Sequence, residues 1–308
     1  MRLVFAGTPV VALPSLEALV AAGHEVAAVL TRAPAPQGRH RRPAPSPVQA
    51  WAEARGIEVL APASPRDPEL ARRLAELAPR ACPVVAYGGL VPAALLDLPE
   101  LGWINLHFSL LPAWRGAAPV QHAILNGDPS LGATVFRLVA ALDAGPWWRQ
   151  LDLPLWPNAT SGQALERLAG LGAGLLVESL AAAAAGEAPR PQAGPVSLAP
   201  KITPALVRLD WRQPAERLDR LVRAACPQPG AWTMVAGRRL TVLAVAPTAE
   251  SLPPGVIARR PRTVLVGTGT TALGLVEVQP EGKRAMPGAD WARGLRPDAP
   301  LAADLEPA

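Results

Sequence analysis

The chain has 308 residues, half of them hydrophobic, and 30 lysines and arginines outweigh 25 acidic residues to give a formal charge of +5. That length supports two domains, each with its own core, and the basic balance favours a polyanionic partner. The two cysteines, Cys82 and Cys226, lie far apart and form no ligand cluster with the four histidines, which excludes a Cys/His metal centre and fits a reducing cytoplasm.

The opening MRLVFAGTP has neither a long apolar core nor a small-residue cleavage site, so no signal peptide is expected. Leu3 to Ala6 read as a short buried strand, Gly7 to Pro9 as a turn, and Leu13, Leu16, Leu19 and Val20 as a helical stripe ended by Gly23. The next strand is Glu25 to Leu30. This order implies a right-handed crossover and a parallel sheet. Further strands at Ile57–Leu60, Cys82–Ala86 and Trp103–Leu106, with helices around Pro47–Arg55 and Asp67–Leu77, predict a doubly wound, Rossmann-like α/β domain. Ligands bind such sheets beyond the carboxyl ends of the strands. The first turn lacks the glycines of a dinucleotide fingerprint and no P-loop follows, so neither NAD nor ATP is expected. Pro83 lacks a ladder donor, which predicts a strand that begins late or is slightly distorted.

Between the second strand and its helix, TRAPAPQGRHRRPAPSPVQ sets Arg39, His40, Arg41 and Arg42 among prolines, a composition that reads by itself as a solvated loop. Tyr87 and Gly88 precede Gly89, as in a plain turn. The run INLHFSLLPAWRGAAPVQ, from Ile104 to Gln121, is a strand end followed by an irregular loop punctuated by Pro112, Gly116 and Pro119. The i, i+2 spacing puts Asn105 and His107 on one side of the strand. An amide beside an imidazole suits carbonyl chemistry, one donating to an oxyanion and the other moving a proton. The same pair also fits a strand-end Asn and a structural His. Ala133 to Val139 is a β-rich run leading to Asp143 on a loop, where turn chemistry is the alternative reading. His24, His40 and His122 have no acidic or cysteine partner at ligand spacing, so no metal is expected.

A helix from near Gly162 to Ala185 closes the first domain. Its Ala-rich part comes nearest to a membrane span, but Glu178 and the weakly hydrophobic alanines make it a packed helix, and no membrane partner is expected. The expected divisions are a catalytic domain over 1–187, a proline-rich linker over 188–203 and a second domain over 204–308. The last holds a helix at Ala215–Ala225 and β-runs near Arg239–Val245, Thr263–Val266 and Leu273–Val278, which suits a small OB-like barrel.

Three segments taken together resemble the formyltransferase family that uses 10-formyltetrahydrofolate, in particular its tRNA-formylating branch. They are N-x-H-x-S-L-L-P (Asn105, His107 and Ser109 to Pro112), R-G-A-A-P (Arg115 to Pro119) and L-D-x-G (Leu142, Asp143 and Gly145). PQPGAW and QPEGKRAM resemble segments of that family's C-terminal OB-like domain, so the likeness covers nearly the whole chain. The resemblance implies Asn105, His107 and Asp143 as catalytic residues. It implies Ser109, Leu110, Leu111, Pro112, Tyr87 and Gly88 on the folate side, and Arg39, Arg41, Arg42, Lys201, Lys283 and Arg284 on the tRNA side. The implied reaction moves a formyl group from 10-formyltetrahydrofolate to the amino group of an aminoacylated initiator tRNA, in a cytoplasmic monomer without a metal. Phe108, Ala144 and Pro146 depart from the family's Gly, Thr and Asp, and Pro34 stands where many relatives have Asp, which bears on loop shape. Two alternatives stay open: a sugar-nucleotide N-formyltransferase and a catalytically silent tRNA-binding protein.

Overall fold

The computed structural model describes residues 1–37 and 42–295. Two compact units emerge: Met1–Pro119, Ser130–Pro154 and Leu165–Ala199 form the first, and Val120–Pro129, Leu155–Ala164 and the chain from Pro200 form the second.

In chain order the elements begin with β1 (Arg2–Gly7), α1 (Leu13–Ala21), β2 (Glu25–Leu30), β3 (Ala35–Gln37), β4 (Arg42–Ala44), α2 (Pro47–Glu53), β5 (Glu58–Leu60) and α3 (Pro68–Leu77). Next come β6 (Cys82–Val85), α4 (Ala93–Leu96), β7 (Trp103–His107), β8 (Arg115–Gly116), α5 (Pro119–Asn126), β9 (Ser130–Arg137), β10 (Trp147–Pro154), α6 (Ser161–Ala184) and β11 (Leu198–Ala199). The main sheet runs β10-β9-β7-β6-β1-β2-β5. β5, β2, β1, β6 and β7 are parallel, as the strand–helix alternation requires, whereas β9 lies antiparallel on β7 and β10 antiparallel on β9. The Rossmann-like sheet is therefore mixed, with a two-stranded antiparallel margin beyond β7. Leu3, Val4, Phe5 and Ala6 of the central β1 are fully buried, as expected for a parallel strand covered on both faces.

Local chemistry sets the helix starts. Ser46 Oγ accepts from Gln49 N at 3.0 Å and caps α2, and Asp67 Oδ1 accepts from Glu69 N at 3.0 Å and caps α3. Leu70, Leu74 and Leu77 then turn one face of α3 into the core. Pro83 sits inside β6 with its strand starting at Cys82. Cys82 N donates toward Gly102 O at 3.1 Å, so by alternation the donor missing at Pro83 faces β1, where pairing lapses between Leu3↔Ala81 and Ala6↔Val84.

The basic loop has a backbone that its composition hid. β3 and β4 pair as a ribbon, with Pro36 opposite Pro43 between the pairs Ala35↔Ala44 and Gln37↔Arg42. Two prolines can face each other only where the ladder asks neither for a donor, at a non-hydrogen-bonded pair.

α6 is 24 residues long and apolar enough to cross a membrane by length and composition, yet it buries Leu168, Ala169, Ala173, Leu176 and Leu180 within the protein. Gly172 lets α6 approach β7, because a Cβ there would stand 2.9 Å from a methyl of Leu106.

In the second unit α7 (Ala215–Ala225) is followed by β12 (Ala231–Val235), β13 (Arg238–Pro247), β14 (Ile257–Arg259), β15 (Val264–Val266), β16 (Leu273–Pro280), β17 (Met286–Pro287) and α8 (Gly288–Arg293). The antiparallel sheet runs β12-β13-β16-β15-β14, with β17 on β16, and its register shifts near Ala244 as it curls in the OB-like manner expected. Leu218 and Val222 of α7 meet Trp211, Leu240, Val242, Val264 and Leu273 in one core. Inside it the Trp211 indole N–H donates to Thr233 Oγ1 at 3.0 Å.

Substituting Gly172 by Val should overpack the contact of α6 with β7 at a cost of about 1–3 kcal/mol. Scanning calorimetry should show the thermal midpoint falling by several degrees; an unchanged midpoint would mean that the helix is not seated on Leu106.

Candidate active site

The winding order of the sheet reverses between the parallel neighbours β1 and β6, the switch point at which such sheets take ligands in a crevice beyond the strands' carboxyl ends. Thr8, just past β1, spans it by donating its hydroxyl proton to Tyr87 O at 2.8 Å. The Tyr87 ring itself lies in the core with Leu95 and Trp103, so this residue meets the crevice through its backbone; Gly88 is exposed. Ala86 holds φ 48°, the left-handed region.

Beside this crevice β7 ends with Asn105 and His107 on one face. Asn105 is half-buried and His107 is buried, its ring meeting Phe136 edge-on at 6.3 Å. The chain then turns sharply through Ser109, Leu110, Leu111 and Pro112, with a cis Leu111–Pro112 peptide. A fully buried hydroxyl organises the turn: Thr134 Oγ1 donates to Ser109 O at 2.6 Å and accepts from Leu111 N and from Gln150 Nε2, each at 3.1 Å. Gln150 Nε2 also donates to Leu111 O at 2.9 Å, and Ser109 Oγ donates to Ala113 O at 2.6 Å. Leu111 is thereby committed to the scaffold. Leu110 and Pro112 are left half-exposed.

His107 Nε2 lies 2.9 Å from Trp114 O. A carbonyl only accepts, so Nε2 carries the proton, and in the neutral ring Nδ1 is a free lone pair. That nitrogen faces Asp143 Oδ2 at 3.9 Å, too long for a hydrogen bond but close enough for a charge pair once the ring is protonated. Burial pushes the His107 pKa below its ordinary value, while the Asp143 charge and the Trp114 carbonyl oppose that fall. With side chains 7% and 12% exposed, imidazole and carboxylate form a sheltered base-and-counterion pair.

Asp143 stands on the loop between β9 and β10 with φ 46°, a left-handed conformation, and Trp114 with φ 60° is another. The loop is held at several points. Gly116 N donates to Asp143 Oδ2 at 2.8 Å, and Gln192 Nε2 donates to the carbonyls of Asp143 and Gly145 at 2.8 Å each. Gly145 must be glycine, since a Cβ there would lie 1.7 Å from Arg137 O. The Gln192 oxygen accepts from Arg115 Nη2 at 2.6 Å and Nε at 3.2 Å. Ser197 Oγ accepts from Trp114 N at 2.9 Å, and β11 pairs parallel with β8 as Leu198↔Arg115 and Ala199↔Gly116. The stretch from Arg190 to Ala199 thus straps the site through Gln192 and Ser197, which nothing in its run of prolines and small residues marks out in the sequence. Thr134 and Gln150 gave no signal either, since both look ordinary in strands.

Of the residues expected to meet tRNA, Arg39 and Arg41 lie outside the described residues, and Arg42 begins β4. Lys201 is exposed just after β11, and Lys283 and Arg284 are exposed on the turn between β16 and β17. An unforeseen feature of the second unit is Trp232, with the guanidinium carbons of Arg239 and Arg208 at 4.5 and 5.3 Å from its ring centre. Among the described residues no three His, Cys, Asp or Glu side chains converge as a metal site.

A family model described as formyl transferase matches residues 1–180, and one described as formyl transferase, C-terminal domain, matches residues 201–296. Both descriptions define the class as formyl transferase. The methionyl-tRNA formyltransferase of Thermobifida fusca (strain YX) is 56% identical over 300 residues, covering 96% of this chain and 97% of that one. The chain belongs to the formyl transferase family and, within it, to the methionyl-tRNA formyltransferases. Among solved structures, the methionyl-tRNA formyltransferase from Clostridium thermocellum shares the fold with a TM-score of 0.60 at 12% identity, over 91% of this chain and 98% of that one. HypX from Aquifex aeolicus in complex with tetrahydrofolic acid has a TM-score of 0.67 at 20% identity, over 95% of this chain and 46% of its own. The chain spans about half the length of HypX.

The buried histidine has a consequence for acid stability. In the unfolded chain His107 titrates at its ordinary 6.5, and in the folded protein below that. Below 6.5 the unfolded state therefore binds more protons, so the contribution of neutral His107 is complete above 6.5 and is lost as the pH falls through the window beneath it. Thermal midpoints of the wild type and His107→Gln should converge, or cross in favour of the variant, between pH 7.5 and 5.5; a gap independent of pH would contradict the burial of a neutral ring.

Proposed function

We propose that this protein transfers the formyl group of 10-formyltetrahydrofolate to the free amino group of initiator methionyl-tRNA, releasing N-formylmethionyl-tRNA and tetrahydrofolate. The observation that carries this reading is the 56% identity, along nearly the whole of both chains, to a relative of that name. Such identity disfavours the sugar-nucleotide acceptor and the silent binding protein.

Asn105 and His107 stand on the face of β7 where the formyl carbon is to be attacked. The amine lone pair adds to that carbon, the carbonyl electrons move to oxygen, and the Asn105 amide donates to the resulting oxyanion. His107 is the proton carrier. Its Nδ1 lone pair takes a proton from the ammonium that this addition creates, the nearby Asp143 carboxylate balances the imidazolium, and the proton passes to the folate nitrogen as the tetrahedral intermediate collapses. Asp143 assists removal of the amine proton, and no covalent enzyme intermediate is needed.

The folate lies along Ser109, Leu110, Leu111 and Pro112 and past the backbone of Tyr87 and Gly88. The residues present suit a flat ring system: Leu90, on the loop after β6, and Leu142, beside Asp143, are large apolar side chains left 80% and 54% exposed. The tRNA is contacted by Arg39, Arg41 and Arg42 of the basic insertion and by Lys201, Lys283 and Arg284, whose cations suit phosphates. On this reading the protein works in the cytoplasm as a monomer, without a metal or a membrane partner.

The test follows formylmethionine formed by purified protein from 10-formyltetrahydrofolate and charged initiator tRNA, beside an amino-sugar nucleotide as control acceptor. His107→Ala should lower kcat by about 10²- to 10⁴-fold, the range for losing a general acid–base group. The pair Lys283→Ala and Arg284→Ala should raise KM for tRNA, leave kcat near wild type and flatten the salt dependence of kcat/KM. Formylation of the sugar alone would overturn the assignment.

A further inference from the structure

We infer that Gln192 is a positioning residue for formyl transfer, its side-chain amide clamping the Asp143 loop to Arg115 so that the carboxylate stays beside His107, a role that rests on the function proposed above.

Gln192 lies on the segment after α6, where Pro191 and Ala193 to Val196 are all exposed and Gln192 alone is half-buried. Its amide bonds at both ends. The two protons of Nε2 go to Asp143 O and Gly145 O at 2.8 Å each, and Oε1 receives Arg115 at 2.6 and 3.2 Å. A flipped amide would set oxygen against two carbonyls and NH₂ against a guanidinium, so only one orientation satisfies all four contacts.

What these bonds hold is strained. Asp143 is a non-glycine residue at φ 46°, and such backbone persists only where its surroundings over-determine it. Gly116 N fixes one carboxylate oxygen at 2.8 Å, and Gln192 fixes the peptide that carries it. Arg115 and Gly116 pair with β11, so the donor to the carboxylate and the partner of the amide belong to one backbone ladder. Neither Asn nor Glu replaces this residue. Asn is a methylene too short to span the gap, and Glu keeps Arg115 but turns a carboxylate onto two carbonyl oxygens. Among the described residues the charged group facing His107 is Asp143, and the Phe136 ring and the Trp114 carbonyl also contact it.

The experiment compares wild type, Gln192→Met, which keeps the volume and drops both ends of the clamp, and Gln192→Glu. Initiator tRNA formylation gives kcat and KM, and ligand-free NMR gives the titration of the His107 ring, assigned by its loss in His107→Asn. Displacing a catalytic group by about 1 Å costs on the order of 10²-fold. Both variants should therefore lose about 10- to 100-fold in kcat with KM for tRNA and folate within about twofold. The His107 midpoint in Gln192→Met should move to lower pH, because the carboxylate that raises it has drifted away. A kcat within twofold of wild type in both variants overturns the role, as does a loss of kcat with an unmoved His107 midpoint, which would mean a merely structural glutamine. If the wild type formylates no tRNA, the function proposed above fails, and the NMR midpoint by itself decides whether Gln192 positions Asp143.

Discussion

The hydrogen bond from His107 Nε2 to the Trp114 carbonyl fixes which ring nitrogen carries the proton in the neutral ring. It commits one ring nitrogen to the scaffold, and burial lowers the ring's pKa, so in the neutral ring the other nitrogen is a lone pair facing Asp143. The carbonyl is presented by Trp114 at φ 60°, just before β8, which pairs with β11. A chain of backbone contacts thus reaches from the strap after α6 to a tautomer. Electrostatic catalysis gains from groups fixed before the charge appears.

The same economy governs the turn after β7. One threonine hydroxyl on β9 gives and accepts three contacts and draws Ser109, Leu111 and Gln150 around it without any charged group. That arrangement requires β9 to lie beside β7 with His107 opposite Thr134, which is the antiparallel margin of the sheet. The departure from an all-parallel fold is therefore the feature that supports the site.

The legible parts of the sequence were those whose information is local. Apolar periodicity located α3, α7 and the parallel strands, and α7 runs from Ala215 to Ala225 as its pattern predicts. The i, i+2 spacing placed Asn105 and His107 on one face, and the likeness of short segments to a known family supplied Asp143, which periodicity by itself would leave as turn chemistry. What stayed hidden was long-range. Trp147 to Pro154 mixes tryptophans, charges and proline without clean alternation, so β10 was not foreseen. Gln192 is 49 residues from Asp143, and nothing in a proline-rich run announces which residue turns inward. The prolines around Arg42 argued for loop because proline is read as a breaker, whereas paired prolines are compatible with a ribbon in one register.

That register bears on colloidal behaviour. In the ribbon of β3 and β4 the residues whose N–H would point outward are Pro36 on one edge and Pro43 on the other, and neither has an N–H. Neither edge of the described ribbon thus offers a backbone donor to a further strand at that pair. A two-stranded segment with outward donors would otherwise be a template for edge-to-edge association. The proline pair thus leaves the described ribbon without an outward N–H at that position with which to begin such an association.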